Sequence, residues 1–212
     1  MSKITMGGKN AYKIQRRLGI ELPGLGKAGA LERRPYGPGM HGMKRKKLTD
    51  YTIRLMEKQK VRFHYGIREK QLVNLIKKCK KDKKRSWVDS LVISLESRID
   101  NTVFRLNWAP SMAAARQMVS HGAISVNGKK CDIASAVLSV GDVITISDKG
   151  AKSANFLQAA ARPRLSAIPA FLTKEADGEK EKATMVSEPL PEDIPFAFEK
   201  RLVIEFYWKI KA

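Results

Sequence analysis

Residues 111–133 read SMAAARQMVSHGAISVNGKKCDI, and their pattern decides the architecture of the middle of the chain. Ser111 follows a proline and can accept a hydrogen bond from a backbone N–H a few positions on. It therefore caps a helix over about Met112–His121, which Gly122 closes. On that helix Ala115, Met118 and Val119 share the inward side. Arg116, Gln117 and Ser120 share the other, with His121 at its edge. Two short strands then flank Asn127-Gly128, a strong signal for a type I′ hairpin. Gly141-Asp142 turns into a third strand, VITI at 143–146, and LESRIDNTVFRLN at 95–107 reads as a preceding helix. The expected fold class is α+β, with a helix–helix–strand module and a short antiparallel sheet over residues 96–160. A further helix is expected near Ala154–Ala161.

Upstream, residues 1–95 read as a basic and mainly helical domain. NAYKIQRRLG at 10–19 ends on a glycine suited to the left-handed position after a helix. Residues 19–47 are too rich in glycine and proline for a long helix, and they read as a basic loop that orders on its partner. Thr49 or Asp50 caps a helix running to about Tyr65, which Gly66 ends. On it Arg54, Lys58 and Arg62 fall in one narrow arc with Tyr51 and Tyr65, while Ile53, Met56, Val61 and Phe63 lie opposite. Glu57 is the acidic residue of the helix body available to balance that arc. A second helix over about Arg68–Cys79 precedes the run KKCKKDKKR at 77–85. A third starts near Ser86, with Trp87, Leu91 and Leu95 on one face.

Downstream, residues 161–212 read as an extended linker, with four prolines and the mixture KEADGEKEK within 166–195. A β-prone segment, LVIEFYWKI at 202–210, follows and is expected as a strand over 200–210 packed on the first domain.

The chain of 212 residues carries 41 Lys and Arg against 21 Asp and Glu, a net charge of +20. Residues 1–90 hold 25 basic and 7 acidic side chains. Residues 91–165 hold 9 and 5, and residues 166–212 hold 7 and 9. A folded chain so charged repels itself unless a polyanion neutralises it, so nucleic acid is the expected partner, an acidic membrane surface is the competing one, and the first 90 residues are the main electrostatic footprint. No apolar run reaches the ~18–20 residues of a membrane-spanning helix, so no membrane partner is expected. Cys79 and Cys131, far apart, do not make a disulfide framework.

Catalytic patterns are missing. His41, His64 and His121 show no metalloprotease spacing, neither cysteine has a CxxC partner, and there is no Walker loop, GxGxxG or GxSxG. No catalytic residue, cofactor, metal or small-molecule substrate is expected. His64 reads as a surface residue and His121 as a polar helix end.

Several longer motifs carry a resemblance. ERRPYGPGMHG with Y-x-x-R-L-x-E-K-Q-K-x-R-x-x-YG (32–66), the stretch 95–144, and PLPEDIP with LVIEFY (189–207) together resemble the bacterial-type small-subunit ribosomal protein four family. The resemblance implies a primary binder of small-subunit ribosomal RNA that nucleates assembly of the subunit body. It also implies contact with ribosomal protein five, a contribution to translational accuracy, and a bacterial-type cytoplasmic ribosome, with an organellar one left open. In the module Arg116, Gln117, His121, Gly122, Asn127, Gly128 and Lys129 match the family's positions. The RNA contacts expected are Arg16 and Arg17; Arg33, Arg34, His41, Lys44, Arg45, Lys46 and Lys47; Tyr51, Arg54, Lys58, Gln59 and Arg62; and Arg116, Gln117, His121, Lys129 and Lys130. Removing Arg54 and Arg62 is expected to weaken RNA binding without unfolding the domain.

The chain departs from the family at several positions. Met112 stands where the family usually has an arginine, with a second often near Pro110, Ala123 stands where a histidine is usual, and Gly37 and Met40 replace the more frequent proline and glutamine. No cysteine precedes the ERRPY segment, where many relatives hold zinc, which implies a zinc-free form. Two other functions compete. An RNA-modifying enzyme borrowing the module would need a catalytic domain, and only about 60 residues follow the module. An unattached regulatory RNA binder fits less well with the long basic N-terminal domain.

Overall fold

The computed structural model describes residues 5–6, 9–26, 29–44, 47–162, 167–177 and 180–208. The chain divides into two units, residues 1–91 with 195–212, and residues 92–194.

Among its described residues the first unit has helices and a two-stranded ladder of β1 (Thr5–Met6) and β2 (Lys9–Asn10). Asn10 caps α1 (Ala11–Leu18) by accepting from the Tyr12 N–H at 3.0 Å. The buried stripe of α1, Ala11, Ile14 and Leu18, follows the helical period and joins Leu22 and Leu25 in a cluster covered by Ile20, Met56, Phe63 and Phe196. A single-turn α2 (Ala30–Arg33) is all the helix that the glycine- and proline-rich stretch contains among the described residues. Thr49 then caps α3 (Asp50–His64), as its sequence predicts, and α4 (Glu69–Cys79) and α5 (Trp87–Glu96) follow.

The C-terminal segment and His64 depart from expectation in this unit. The segment expected as a strand over 200–210 is a helix in its described part, α10 (Lys200–Phe206). Its β-branched residues are outweighed by packing at helical spacing. Val203 and Tyr207, four apart, are both 2% exposed, α10 lies against α3, and Arg201 pairs with Glu205 one turn on at 3.0 Å. His64 is not on the surface. It is fully buried between the Tyr65 and Phe196 rings, with centroids 4.7 and 4.8 Å away.

The second unit packs helices on an antiparallel sheet. The helices are α6 (Ile99–Arg105), α7 (Met112–Ser120), α8 (Asp148–Ala151) and α9 (Ala154–Ala160). The strands are β3 (Ile124–Val126), β4 (Lys129–Cys131), β5 (Val143–Ile146), β6 (Leu172–Asp177) and β7 (Lys180–Met185), ordered β4-β3-β5-β7-β6. Asn127 and Gly128, at φ 50° and 77°, make the two-residue turn between β3 and β4, and Val126 faces Lys129. Ala115, Met118 and Val119 are buried as the period of α7 requires, as are Ile124, Ile144 and Ile146 of the sheet.

The stretch expected as an extended linker from residue 161 onward holds β6 and β7, the two strands that extend the sheet to five. The charges that resemble a solvated loop are cross-strand neighbours. Glu175 faces Lys182, and Lys174 pairs with Glu181 at 2.8 Å, while Leu172, Ala183 and Met185 are buried. Among the described residues no helix is long and apolar enough to cross a membrane.

Candidate nucleic-acid interface

The expected contacts fall into three groups by what the fold does with them. The first is the segment 33–44. Arg33, Arg34, His41 and Lys44 are exposed there, as are Lys47 and Arg17 nearby. Arg45 and Lys46 lie outside the described residues. The segment is anchored within the chain rather than left to order on a partner. Arg16 donates from Nε to the Tyr36 carbonyl at 2.9 Å and from Nη2 to the Gly37 carbonyl at 3.0 Å, and its guanidinium lies 5.0 Å from the Tyr36 ring centroid. The Glu21 carboxylate accepts the N–H groups of Gly29 and Leu31. A side chain at Gly42 would collide with the Gly37 carbonyl, so the two ends of PYGPGMHG touch only because that position is glycine. Arg16, expected on RNA, thus holds the loop that carries the exposed cations.

The second group is the α3 stripe, and here the structure departs from the expectation. Lys58 is 7% exposed. Its ammonium bonds the Glu69 carboxylate at 2.7 Å and sits 4.8 Å from the Phe206 ring centroid. Arg54 bonds Glu205 at 2.6 Å, and Arg62 lies 3.7 Å from Glu69 and over the Phe63 ring. Gln59 is half-buried, with its side-chain oxygen shut off from solvent. Burial works against ionisation of Glu69, but hydrogen bonds from Lys58 and Tyr207 and the charges of Lys58 and Arg62 hold its carboxyl below the ordinary value. Hydrogen bonds from Arg54 and Arg201 lower Glu205 likewise. Burial, and then the bond to Glu69, push the Tyr207 hydroxyl far up. The stripe is therefore an ionic seam under α4 and α10 and does not form a continuous cationic face. Glu57, expected to balance it, is turned to Lys60 and accepts the Glu199 N–H. Tyr51 remains 63% exposed.

The third group lies on α7 and the hairpin of the second unit. Gln117, His121, Lys129 and Lys130 are exposed, and the Arg116 side chain is 39% exposed. Gly122, at φ 69°, does two jobs: it closes α7, and it leaves the space that the Lys130 side chain occupies, where a Cβ would collide with it. That brings Lys130 beside the end of α7. Gln117 accepts from Asn155 at 3.3 Å, and the two border a small cleft of about 130 Å³ with His121, Lys149 and Ser153.

Sequence reasoning missed the buried polar layer behind this face. Glu96 and Asp100 are 0% and 1% exposed. Asn101 donates to Glu96 at 2.8 Å and Arg105 donates to it at 3.2 Å. Arg98 forks onto Asp100 at 2.9 and 2.6 Å, and Arg116 adds a bond to the same carboxylate at 2.9 Å. The signal was present as ESRIDN at 96–101, five polar residues around the single buried apolar Ile99 where an amphipathic helix would place a clean stripe. Among the described residues no cluster of His, Cys, Asp and Glu gathers for a metal.

Residues 9–96 match the family described as the ribosomal protein S4/S9 N-terminal domain, and residues 97–144 match the S4 domain. The class is thus that of ribosomal proteins. The chain is 53% identical over 196 residues to "Small ribosomal subunit protein uS4B" of Bdellovibrio bacteriovorus, covering 92% of this chain and 94% of that one. It is 42% identical over 200 residues to the uS4 protein of Listeria monocytogenes (93% and 96% covered) and 43% identical over 207 residues to that of a Synechococcus species (98% of each). The chain belongs to the bacterial uS4 family of small ribosomal subunit proteins. It is a structural constituent of the small ribosomal subunit, in a family of ribosomal proteins rather than enzymes.

Proposed function

We propose that the protein binds small-subunit ribosomal RNA directly and early, in a bacterial-type cytoplasmic ribosome, and that it nucleates assembly of the subunit body. The observation that supports this most is the set of exposed cations on the anchored 33–44 segment, in the part of the chain with 25 basic and 7 acidic residues over positions 1–90. Such a surface draws its affinity from phosphate neutralisation and counterion release. The α7 face, with Arg116, Gln117 and His121 beside Lys129 and Lys130, carries fewer charges and sets orientation on a folded RNA by shape. In the same proposal the protein touches ribosomal protein five of the small subunit and contributes to translational accuracy.

The direct test is binding of the purified protein to small-subunit ribosomal RNA over a range of salt. With about 8 phosphates neutralised, log K against log salt has a slope near −6. A slope shallower than about −2 contradicts the proposal. Reconstitution of small subunits with the protein withheld tests the assembly role, and undiminished particle yield contradicts it.

A further inference from the structure

Arg116 is the one charged residue of α7. Its Nη2 donates 2.9 Å to an Asp100 oxygen that Arg98 also engages at 2.6 Å, and the other Asp100 oxygen accepts from Arg98 Nε at 2.9 Å and from the Asn101 N–H at 3.0 Å. The carboxylate is 1% exposed, whereas the Arg116 side chain is 39% exposed. Two guanidiniums on one carboxylate leave a net positive charge, and the carboxylate faces them rather than the surface.

We infer that Asp100 is a positioning residue for RNA binding, fixing the Arg116 guanidinium for a phosphate or base edge. This rests on the reading that the α7 face meets RNA. An arginine is planar, and its value to a phosphate lies in the orientation of its N–H donors as much as in its charge. A long side chain in solvent loses rotamer freedom when it docks, and one already tied to a buried carboxylate has lost much of that freedom beforehand. The two-residue offset of Arg98 and Asp100 at the start of α6 lets Arg98 close onto the carboxylate in a fork, so that Asp100 is held from its own element and Arg116 is held by Asp100.

The inference predicts a sign opposite to that of plain electrostatics. An acidic residue near a polyanion-binding face opposes binding, so its removal should tighten the complex. If Asp100 positions Arg116, Asp100→Asn instead weakens it, because one of the two acceptor oxygens becomes an NH2 donor and the negative charge that held both guanidiniums is gone.

The experiment measures the affinity of the full chain for small-subunit ribosomal RNA transcribed in vitro, with Asp100→Asn, Arg116→Ala and the double variant, each checked by thermal melting. Expected is a loss of about tenfold for each single variant, the scale of one charge-assisted hydrogen bond, and no further loss in the double. A folded Asp100→Asn protein that binds as well as wild type, or tighter, overturns the inference. Should Asp100→Asn melt too low to assay, Arg116→Lys decides: its charge is kept but its fork is lost, so binding as weak as that of Arg116→Ala supports the inference and binding within twofold of wild type overturns it. If the wild-type chain itself ignores this RNA, the functional reading fails and takes the inference with it. Wild-type binding with an unaffected Asp100→Asn protein removes the inference alone.

Discussion

Two regions of this protein pair cations with carboxylates, and they do so in opposite senses. In the α3 seam the cation is buried: Lys58 has 8% of its side chain exposed, and its partner Glu69 has 38%. On α7 the carboxylate is buried: Asp100 has 1% exposed, and its partner Arg116 has 39%. Both pairs are short and well formed, so hydrogen-bond geometry alone does not tell them apart. A buried cation has been consumed by the fold, because removing its partner leaves an uncompensated charge away from water. An exposed cation on a buried carboxylate has been oriented by the fold and is still presented to solvent. The sense of burial separates a lysine enclosed by the fold from an arginine that the fold leaves partly at the surface.

The largest effect that would sharpen this contrast belongs to the exposed cations of the 33–44 segment and to Lys47. Changing Arg33, Arg34, Lys44 and Lys47 together to alanine should reduce the salt slope of RNA binding by about 3, at ~0.7–0.9 per phosphate contact. The affinity loss should exceed a hundredfold at low salt, and the melting temperature should not move. Filter binding over a salt series, with a parallel melt, reads both quantities. The seam should behave in the reverse way. Lys58→Met takes from Glu69 its shortest partner, leaving the Tyr207 hydroxyl and the more distant Arg62, and should cost about 2–3 kcal/mol in urea unfolding. That is somewhat below the usual loss for a fully buried pair, because Glu69 is partly exposed. RNA affinity of the folded variant should stay within about twofold of wild type. Were the affinity to collapse while stability held, Lys58 would belong with the RNA contacts.

The elements that local chemistry determines were legible in the sequence. Thr49 and Gly66 bracket α3, Ser111 and Gly122 bracket α7, and Asn127-Gly128 closes the β3–β4 hairpin. Each depends on residues within a few positions of one another. Most of the failures involve distance along the chain. The α3 stripe looked unbalanced because Glu205, which takes Arg54, lies 151 residues away. LVIEFY is helical because α3 covers its Val203 and Tyr207 face, and KEKATM is a strand because β5 already offers an edge to pair with. Asp100 could be placed on α6 from its neighbours, but nothing local shows that an arginine 16 residues on would reach it. On the candidate site, sequence located the cationic segments, and the fold decided which of their charges remain outside.

A smaller effect follows from pH. Glu69 and Glu205 ionise below the ordinary 4.5 in the folded chain, so between those values the unfolded chain binds more protons. Their stabilisation is complete above 4.5 and is lost as pH falls through the lowered folded values. Tyr207 acts in the other direction. Past its ordinary value of 10 the unfolded chain releases a proton that the folded chain keeps, so stability declines as pH climbs beyond 10. Melting of the full chain across pH should show a plateau between these limits, with near-ultraviolet signals from Tyr207 and its aromatic neighbours changing at both edges. A profile without the acid limb would contradict the seam's role.

The most direct test of the contrast is the salt slope and melting temperature of Arg54→Ala/Arg62→Ala, measured beside the wild-type chain. The account predicts a lowered melting temperature with a slope that remains near −6, because these cations are engaged by Glu205 and Glu69. An unchanged melting temperature with a slope shallower by about 2 would contradict it and return the α3 stripe to the RNA.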